Sequence, residues 1–289
     1  MPSTIVYAGT TGQGVWRSDD EGETFVRSCA GMFMEAEVRA LAVHPHDSKR
    51  LYAGTDAGIY RTDNGGQRWE RLDAPFDAGQ GWQAGTIVWS LLVHPQNLDL
   101  LFAGTCPPAI YRSRDGGASW EQLDVEINRE CGPIIYSRVT CLAADPTDEN
   151  VIWAGIEIDG VRRSEDGGDN WQRLDEGLSS LDIHGLLALP DASKTVIATT
   201  NNDINVSTDE CAQWRPQNVP EKFPWRYCRG IAAKADDPNT IFVGNGSGPP
   251  GTVGALQISR DGGQSWQMAD LSPAPNSTIW TFATNPADP

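Results

Sequence analysis

The stretch Ile110-Tyr111-Arg112-Ser113-Arg114-Asp115-Gly116-Gly117-Ala118-Ser119-Trp120 decides the fold, because near copies of it return along the whole chain. Counted from the residue that opens each copy, they start at 18, 62, 113, 164, 207 and 259, at intervals of 44, 51, 51, 43 and 52 residues. Intervals of that size match a four-stranded propeller blade. The consensus Ser-x-Asp-x-Gly-x-x-Trp is a turn with a mechanism. The Ser and Asp oxygens accept backbone N–H groups and close it, and the last Gly permits a positive φ. The Trp then anchors the returning strand. Departures are local: Phe25 stands for Trp, Thr62 and Asn64 stand for Ser and Asp, and Cys211 stands for Gly. A side chain at positive φ is disfavoured, so the fifth turn is expected to be distorted or differently hydrogen-bonded. One turn geometry accounts for all six copies, which makes their five Asp residues and Asn64 structural and leaves no metal site among them.

This pattern resembles the Asp-box (BNR) repeat family, and the resemblance covers essentially the whole chain. It implies a β-propeller. Such propellers include sialidases, photosystem assembly factors and sortilin-like receptors, and the last two share the phrasing Tyr52-Ala53-Gly54-Thr55 and Ile110-Tyr111-Arg112-Ser113. The chain lacks the Arg-Ile-Pro signature of sialidases and a clear set of acid, nucleophilic Tyr and partner Glu. A family fold hosts many functions, so the activity is left open.

In chain order, the first unit reads as three strands, at 4–9, 14–18 and 24–27. Later units open with an additional strand, as in 38–45, 50–54, 58–61 and 68–72. These strands are A, B, C and D. Strand A recurs at 88–95, 139–146, 183–190 and 228–238, and a last one at 279–286 fits the gap in the first unit. The expected fold is therefore an all-β, six-bladed β-propeller of four-stranded antiparallel blades, one domain over 1–289, its first blade closed by the C-terminal strand. The A strands alternate with period two. Leu41, Leu91, Leu142, Leu186, Ile231 and Phe282 form a large apolar column; Ala40, Ser90, Cys141, Gly185, Gly230 and Thr281 form a small one.

A formal net charge of −17 excludes nucleic acid and anionic membrane as the main partners. No apolar run is long enough for a membrane-spanning helix, and the first residues have neither a basic nor an apolar leader region. The chain reads as cytoplasmic, although removal of a signal peptide would leave the same sequence. Six cysteines, none in Cys-x-x-Cys spacing, argue for thiols rather than zinc, with Cys106 and Cys131 as the one pair placed to form a disulfide. No cofactor is expected. His44 and His94 sit beside Pro45 and Pro95 and read as turn residues.

Function is expected at the face of the D–A and B–C loops. Long loops lie at 29–37, 73–86, 124–138, 216–227 and 244–255, with aromatics at Phe33, Trp82, Trp225 and Tyr227. At this end of the large-residue column stand Arg39, Trp89, Thr140, His184, Arg229 and Trp280, and one step beyond are Glu37, Ile87, Arg138, Asp182, Tyr227 and Thr278. With Tyr136, these residues make either a ligand pocket or a solvated ion-pair rim. Three function classes follow: a glycan hydrolase; a hydrolase or lyase for a small anionic substrate with His184 and Glu157 as its proton-transfer pair; and a non-catalytic protein-binding or assembly module. Glu157 or Asp159 is expected to orient the His184 ring. The pocket reading assigns substrate binding to Arg39, Arg138, Arg229, Tyr136, Tyr227, Trp89, Trp280 and Glu37. The partner is then a small molecule or glycan, or a protein at the loop-rich face.

Overall fold

The structure, a computed structural model, describes residues 4–76, 85–132 and 135–285. Trp82 and the residues at 286–289 lie outside the described residues. The chain divides into two compact units, Met1–Leu142 and Ala143–Pro289. Six antiparallel sheets form the blades of an all-β, six-bladed β-propeller, the expected fold class.

The first unit holds β1 (Val6–Gly9), β2 (Val15–Ser18) and β3 (Val26–Arg27) in one sheet. Its second sheet runs β4 (Val38–His44), β5 (Asp47–Thr55), β6 (Gly58–Thr62) and β7 (Glu70–Arg71), and its third β8 (Ile87–Val93), β9 (Leu101–Cys106), β10 (Ile110–Ser113) and β11 (Glu121–Gln122). A hairpin of β12 (Glu130–Cys131) and β13 (Ile135–Tyr136) follows. The division between units falls inside β14 (Val139–Ala144), which opens the fourth sheet with β15 (Ile152–Ile156), β16 (Gly160–Ser164) and β17 (Gln172–Arg173). The fifth sheet is β18 (Ile183–Ala188), β19 (Val196–Thr200), β20 (Ile204–Ser207) and β21 (Arg215–Pro216). The sixth is β22 (Tyr227–Lys234), β23 (Asp237–Gly246), β24 (Gly254–Ser259) and β25 (Gln267–Met268). A single turn of helix, α1 (Val219–Lys222), interrupts the loop ahead of β22. The buried Asp203 carboxylate holds its start by accepting the Asn218 and Val219 N–H groups.

The apolar core lies between neighbouring blades. Val15 packs with Leu51, Ala53 and Trp69, Tyr52 with Leu101 and Trp120, and Ile197 with Ile241 and Phe223. Each fully buried Leu or Ile stabilises by roughly 1.5–3 kcal/mol relative to exposure. The small-residue column has a steric reason. A Cβ on Gly230 would lie 3.0 Å from the Thr281 Cα, and Ser90 Oγ donates to the Val139 carbonyl at 2.8 Å.

All six turns close in the same way. The opening Ser or Thr hydroxyl accepts the N–H of Gly22, Gly66, Gly117, Gly168, Cys211 or Gly263 at 2.8–3.0 Å. Cys211 keeps φ 71 and the same bond, so the fifth turn is neither distorted nor rewired. The preceding residue is left-handed too, including Glu21 (φ 63) and Glu210 (φ 61). Consequently the turn demands two positive-φ residues, which four of the six copies meet with a Gly-Gly pair. Burial pushes the Cys211 thiol up to about 12.

The two units echo each other in detail. Trp69 Nε1 donates to the Ser28 carbonyl and Trp214 Nε1 to the Leu174 carbonyl, each at 2.8 Å and each onto the preceding blade. Trp120 and Trp171 instead donate to carbonyls in their own turns, at 3.1 and 3.0 Å. The short intervals of 44 and 43 residues are the ones that end at Trp69 and Trp214.

Three local expectations change. Residues 279–285 carry no strand, and the sheet of β1 has three strands among the described residues. Ladder bonds define a strand, and the contacts that seat this segment are made to the glycine backbone of the sixth sheet, where Ile279 abuts Gly244 and Thr278 abuts Gly246. The six cysteines stand as thiols, so Cys106 and Cys131 are not joined as a disulfide. Pro238, expected to end an A strand, sits inside β23, because Lys234 already pairs with Asp237 across a two-residue turn.

Candidate functional site

Four of the residues expected at the loop-rich mouth share one backbone device. In β4 the ladder steps from Val38 to Ala40 while β5 advances one residue, which leaves Arg39 as the bulged residue. Trp89 in β8 and His184 in β18 are bulged identically, and Arg229 with Gly230 opposes Gly244 alone. A bulge re-aims a side chain out of the pleat without ending the strand. The apolar column therefore turns polar at the point where the register slips.

In the first unit the bulges assemble a stack. The Arg138 guanidinium carbon lies 4.2 Å and the Arg39 carbon 4.9 Å from the Trp89 ring centre. Arg39 also donates to Glu37 Oε2 at 2.6 Å. Glu37, Arg39, Trp89 and Arg138 are thus brought together. Tyr136 stands on the β12–β13 hairpin, 44% exposed, and is not among the described contacts of that stack.

In the second unit Arg229 lies 4.2 Å from the Trp280 ring centre and donates to the Tyr227 hydroxyl at 3.1 Å. Burial raises the Tyr227 pKa, Arg229 opposes the rise, and the Asp182 and Glu157 charges add to it. The His184 ring packs on Tyr227 with centres 4.7 Å apart. Its Nδ1 lies 2.7 Å from the Cys228 carbonyl oxygen and its Nε2 3.4 Å from Asp182 Oδ1. A carbonyl only accepts, so the ring donates there from Nδ1. His184 is 7% exposed, whereas Trp280 is 38% exposed.

The carboxylate beside His184 is Asp182, two residues earlier in the chain, which sequence reasoning placed at the mouth without pairing it to the ring. Asp159, expected near His184, is instead paired with Arg162 at 2.6 Å and Arg173 at 2.9 Å. Glu157 is buried in the B–C turn next to Ile158, whose φ of 60 is unusual for a β-branched residue. His44 and His94 are turn residues as expected: His94 Nδ1 accepts the Gln96 and Asn97 N–H groups, and His44 Nδ1 accepts that of His46. Among the described residues no cluster of His, Cys, Asp and Glu has the geometry of a metal site.

Asp-box turns on antiparallel four-stranded sheets, with a bulge that loads Arg, Trp or His onto one end of the blades, define a repeat propeller of the BNR type. The chain belongs to the Sortilin-Vps10 family (sortilin, neurotensin receptor 3), which it matches at residues 13–150 and 159–287. It is 25% identical over 283 residues to a probable oligoxyloglucan-reducing end-specific xyloglucanase of Neosartorya fischeri, a match that takes in 94% of this chain and 32% of that protein. The chain thus spans about a third of that relative's length. Among solved structures it resembles an ancestral GH74 enzyme, with TM-score 0.69 and 17% identity over 93% of this chain and 37% of that one. It also resembles YCF48 bound to D1 peptide, with TM-score 0.60 and 16% identity over 93% and 84%. At these identities the solved structures share the fold.

Proposed function

We propose that this propeller is a non-catalytic binding module that takes a peptide segment of a partner protein on an Arg–Trp stack. The carrying observation is the contrast in the second unit. Trp280, stacked on Arg229, offers an exposed ring, while the His184 side chain is 1% exposed with one nitrogen already given to a backbone carbonyl. A general acid or base must reach its substrate, and a ring shut from solvent is placed for structure instead. Guanidinium edges suit carboxylates and indole faces suit apolar side chains, so a segment mixing acidic and aromatic residues is the matching class. Among the solved structures that share this fold, YCF48 holds a D1 peptide.

The second reading is glycan hydrolysis, favoured by the xyloglucanase relative and by the carboxylates Glu157 and Asp182 near Tyr227. Calorimetric titration with a synthetic octapeptide of alternating Asp and Phe, beside a reducing-end assay on xyloglucan, separates the two. Peptide binding that is lost in Arg229→Ala and Trp280→Ala, with no sugar released, is expected. Release of reducing ends that disappears in Glu157→Gln would overturn the binding-module reading.

A further inference from the structure

One position at the end of every B strand behaves differently in the sixth blade. Thr10, Thr55, Thr105, Ile156, Thr200 and Asn245 occupy it. The four threonines donate into their own B–C turns: Thr10 to Gly14 O and Thr55 to Gly58 O at 2.8 Å, Thr200 to Asp203 O at 2.9 Å, and Thr105 to Ala109 O at 3.3 Å. Asn245 turns the other way. Its Nδ2 donates at 2.6 Å to the carbonyl of Trp225, in the loop that enters the sheet. Its Oδ1 accepts Gln257 Nε2 at 3.3 Å. Both amides are essentially inaccessible to solvent, at 0% and 2%.

Gln257 belongs to the same arrangement. In the first three sheets the strand-C residues paired with Ala8, Ala53 and Ala103 are the aromatics Trp16, Tyr60 and Tyr111, whereas Gln257, paired with Val243, buries an amide. A buried amide left without a partner is costly, so a pair of amides bonded to each other and to a loop carbonyl fixes that loop firmly. A threonine at 245 is too short to reach past its own turn. The loop so held carries Trp225, Arg226 and Tyr227, immediately before the bulged Arg229 that bonds Tyr227 and stacks on Trp280.

We infer that Asn245, backed by Gln257, is a positioning residue that holds the Trp225–Tyr227 segment in place as part of the Arg229–Trp280 face, making Trp225 a further binding residue for an acidic, aromatic peptide. The ligand class rests on the binding-module reading above, whereas the positioning does not. A preformed rim lowers the ordering cost that a ligand must otherwise meet.

The test compares amide hydrogen exchange in the chain and in its Asn245→Thr and Asn245→Asp variants. The first restores the residue of the other blades; the second keeps the shape and removes the donor. Faster exchange confined to residues 223–227, with the turns at 10–14 and 55–58 unchanged, is expected in both. Octapeptide affinity should fall about tenfold in both, and in Trp225→Ala. Unchanged protection of 223–227 overturns the inference, and so does loss of protection throughout the chain, which would mark Asn245 as a general structural residue. Exchange is read without ligand, so a shift at 223–227 with no peptide binding leaves the positioning intact and sinks the peptide reading alone.

Discussion

His184 Nδ1 sits 2.7 Å from the carbonyl oxygen of Cys228, one blade over, so the one histidine outside the turns ties β18 to β22. Removing it leaves that carbonyl and the Asp182 carboxylate beside a cavity. His184→Ala is expected to destabilise by about 1–3 kcal/mol, the cost of a stranded buried polar group. Urea unfolding measures this. An unchanged midpoint together with lost binding or turnover would place His184 in contact with ligand instead.

Acid should loosen the turns. Ser18 and Thr24 hold the Asp20 carboxyl at about 2, Asn170 does so for Asp166, and Ser265 for Asp261, also at about 2; Asp115 and Asp209 are lowered through Ser119 and Ser207. A folded pKa below the unfolded one of about 3.9 contributes stability that is fully present above about pH 5 and is lost as pH falls through about 2. The melting temperature should therefore drop between about pH 5 and about pH 2. Asp261→Asn should lower it at neutral pH and shrink the drop. An equal drop in both proteins would mean that other carboxylates govern acid unfolding.

Positive φ at a non-glycine residue is a local cost that a substitution can recover. Glu21→Gly, at φ 63, is expected to stabilise by about 0.5–1 kcal/mol. Cys211→Gly gains the same relief at φ 71 but gives up a fully buried thiol, so its change should stay within about 1 kcal/mol of zero. Thermal denaturation of the two variants side by side decides the matter. A loss of stability in Glu21→Gly would show that the side chain matters more than the backbone.

Box tryptophans should differ in worth although the sequence writes them alike. Trp214→Phe strands the Leu174 carbonyl between blades and is expected to cost about 1–3 kcal/mol. Trp171→Phe loses a bond to its own Gly168 carbonyl at the more exposed edge of the turn, and should cost less. Equal losses in chemical denaturation would refute the distinction.

Much was legible without coordinates. Six Ser-x-Asp-x-Gly-x-x-Trp turns spaced by blade-sized intervals dictate antiparallel four-stranded sheets, since local turn chemistry and period-two alternation are written in neighbouring residues. The column from Arg39 to Trp280 was legible for the same reason: equivalent positions in a repeat share an environment. The bulges were not, because a register slip depends on how one strand meets the next rather than on its own residue types. Nor were the partners of the polar side chains. Asp159, in the B–C loop of the preceding blade, was expected beside His184, yet Arg162 and Arg173 claimed it, and Asp182 took its place. Asn245 looks like any loop asparagine until its amide is seen bonded to Trp225, 20 residues away. Sequence periodicity settles which face a residue belongs to; only packing decides which of several equally charged neighbours it meets, because that choice is made by distances of a few ångströms across strands that the sequence keeps far apart.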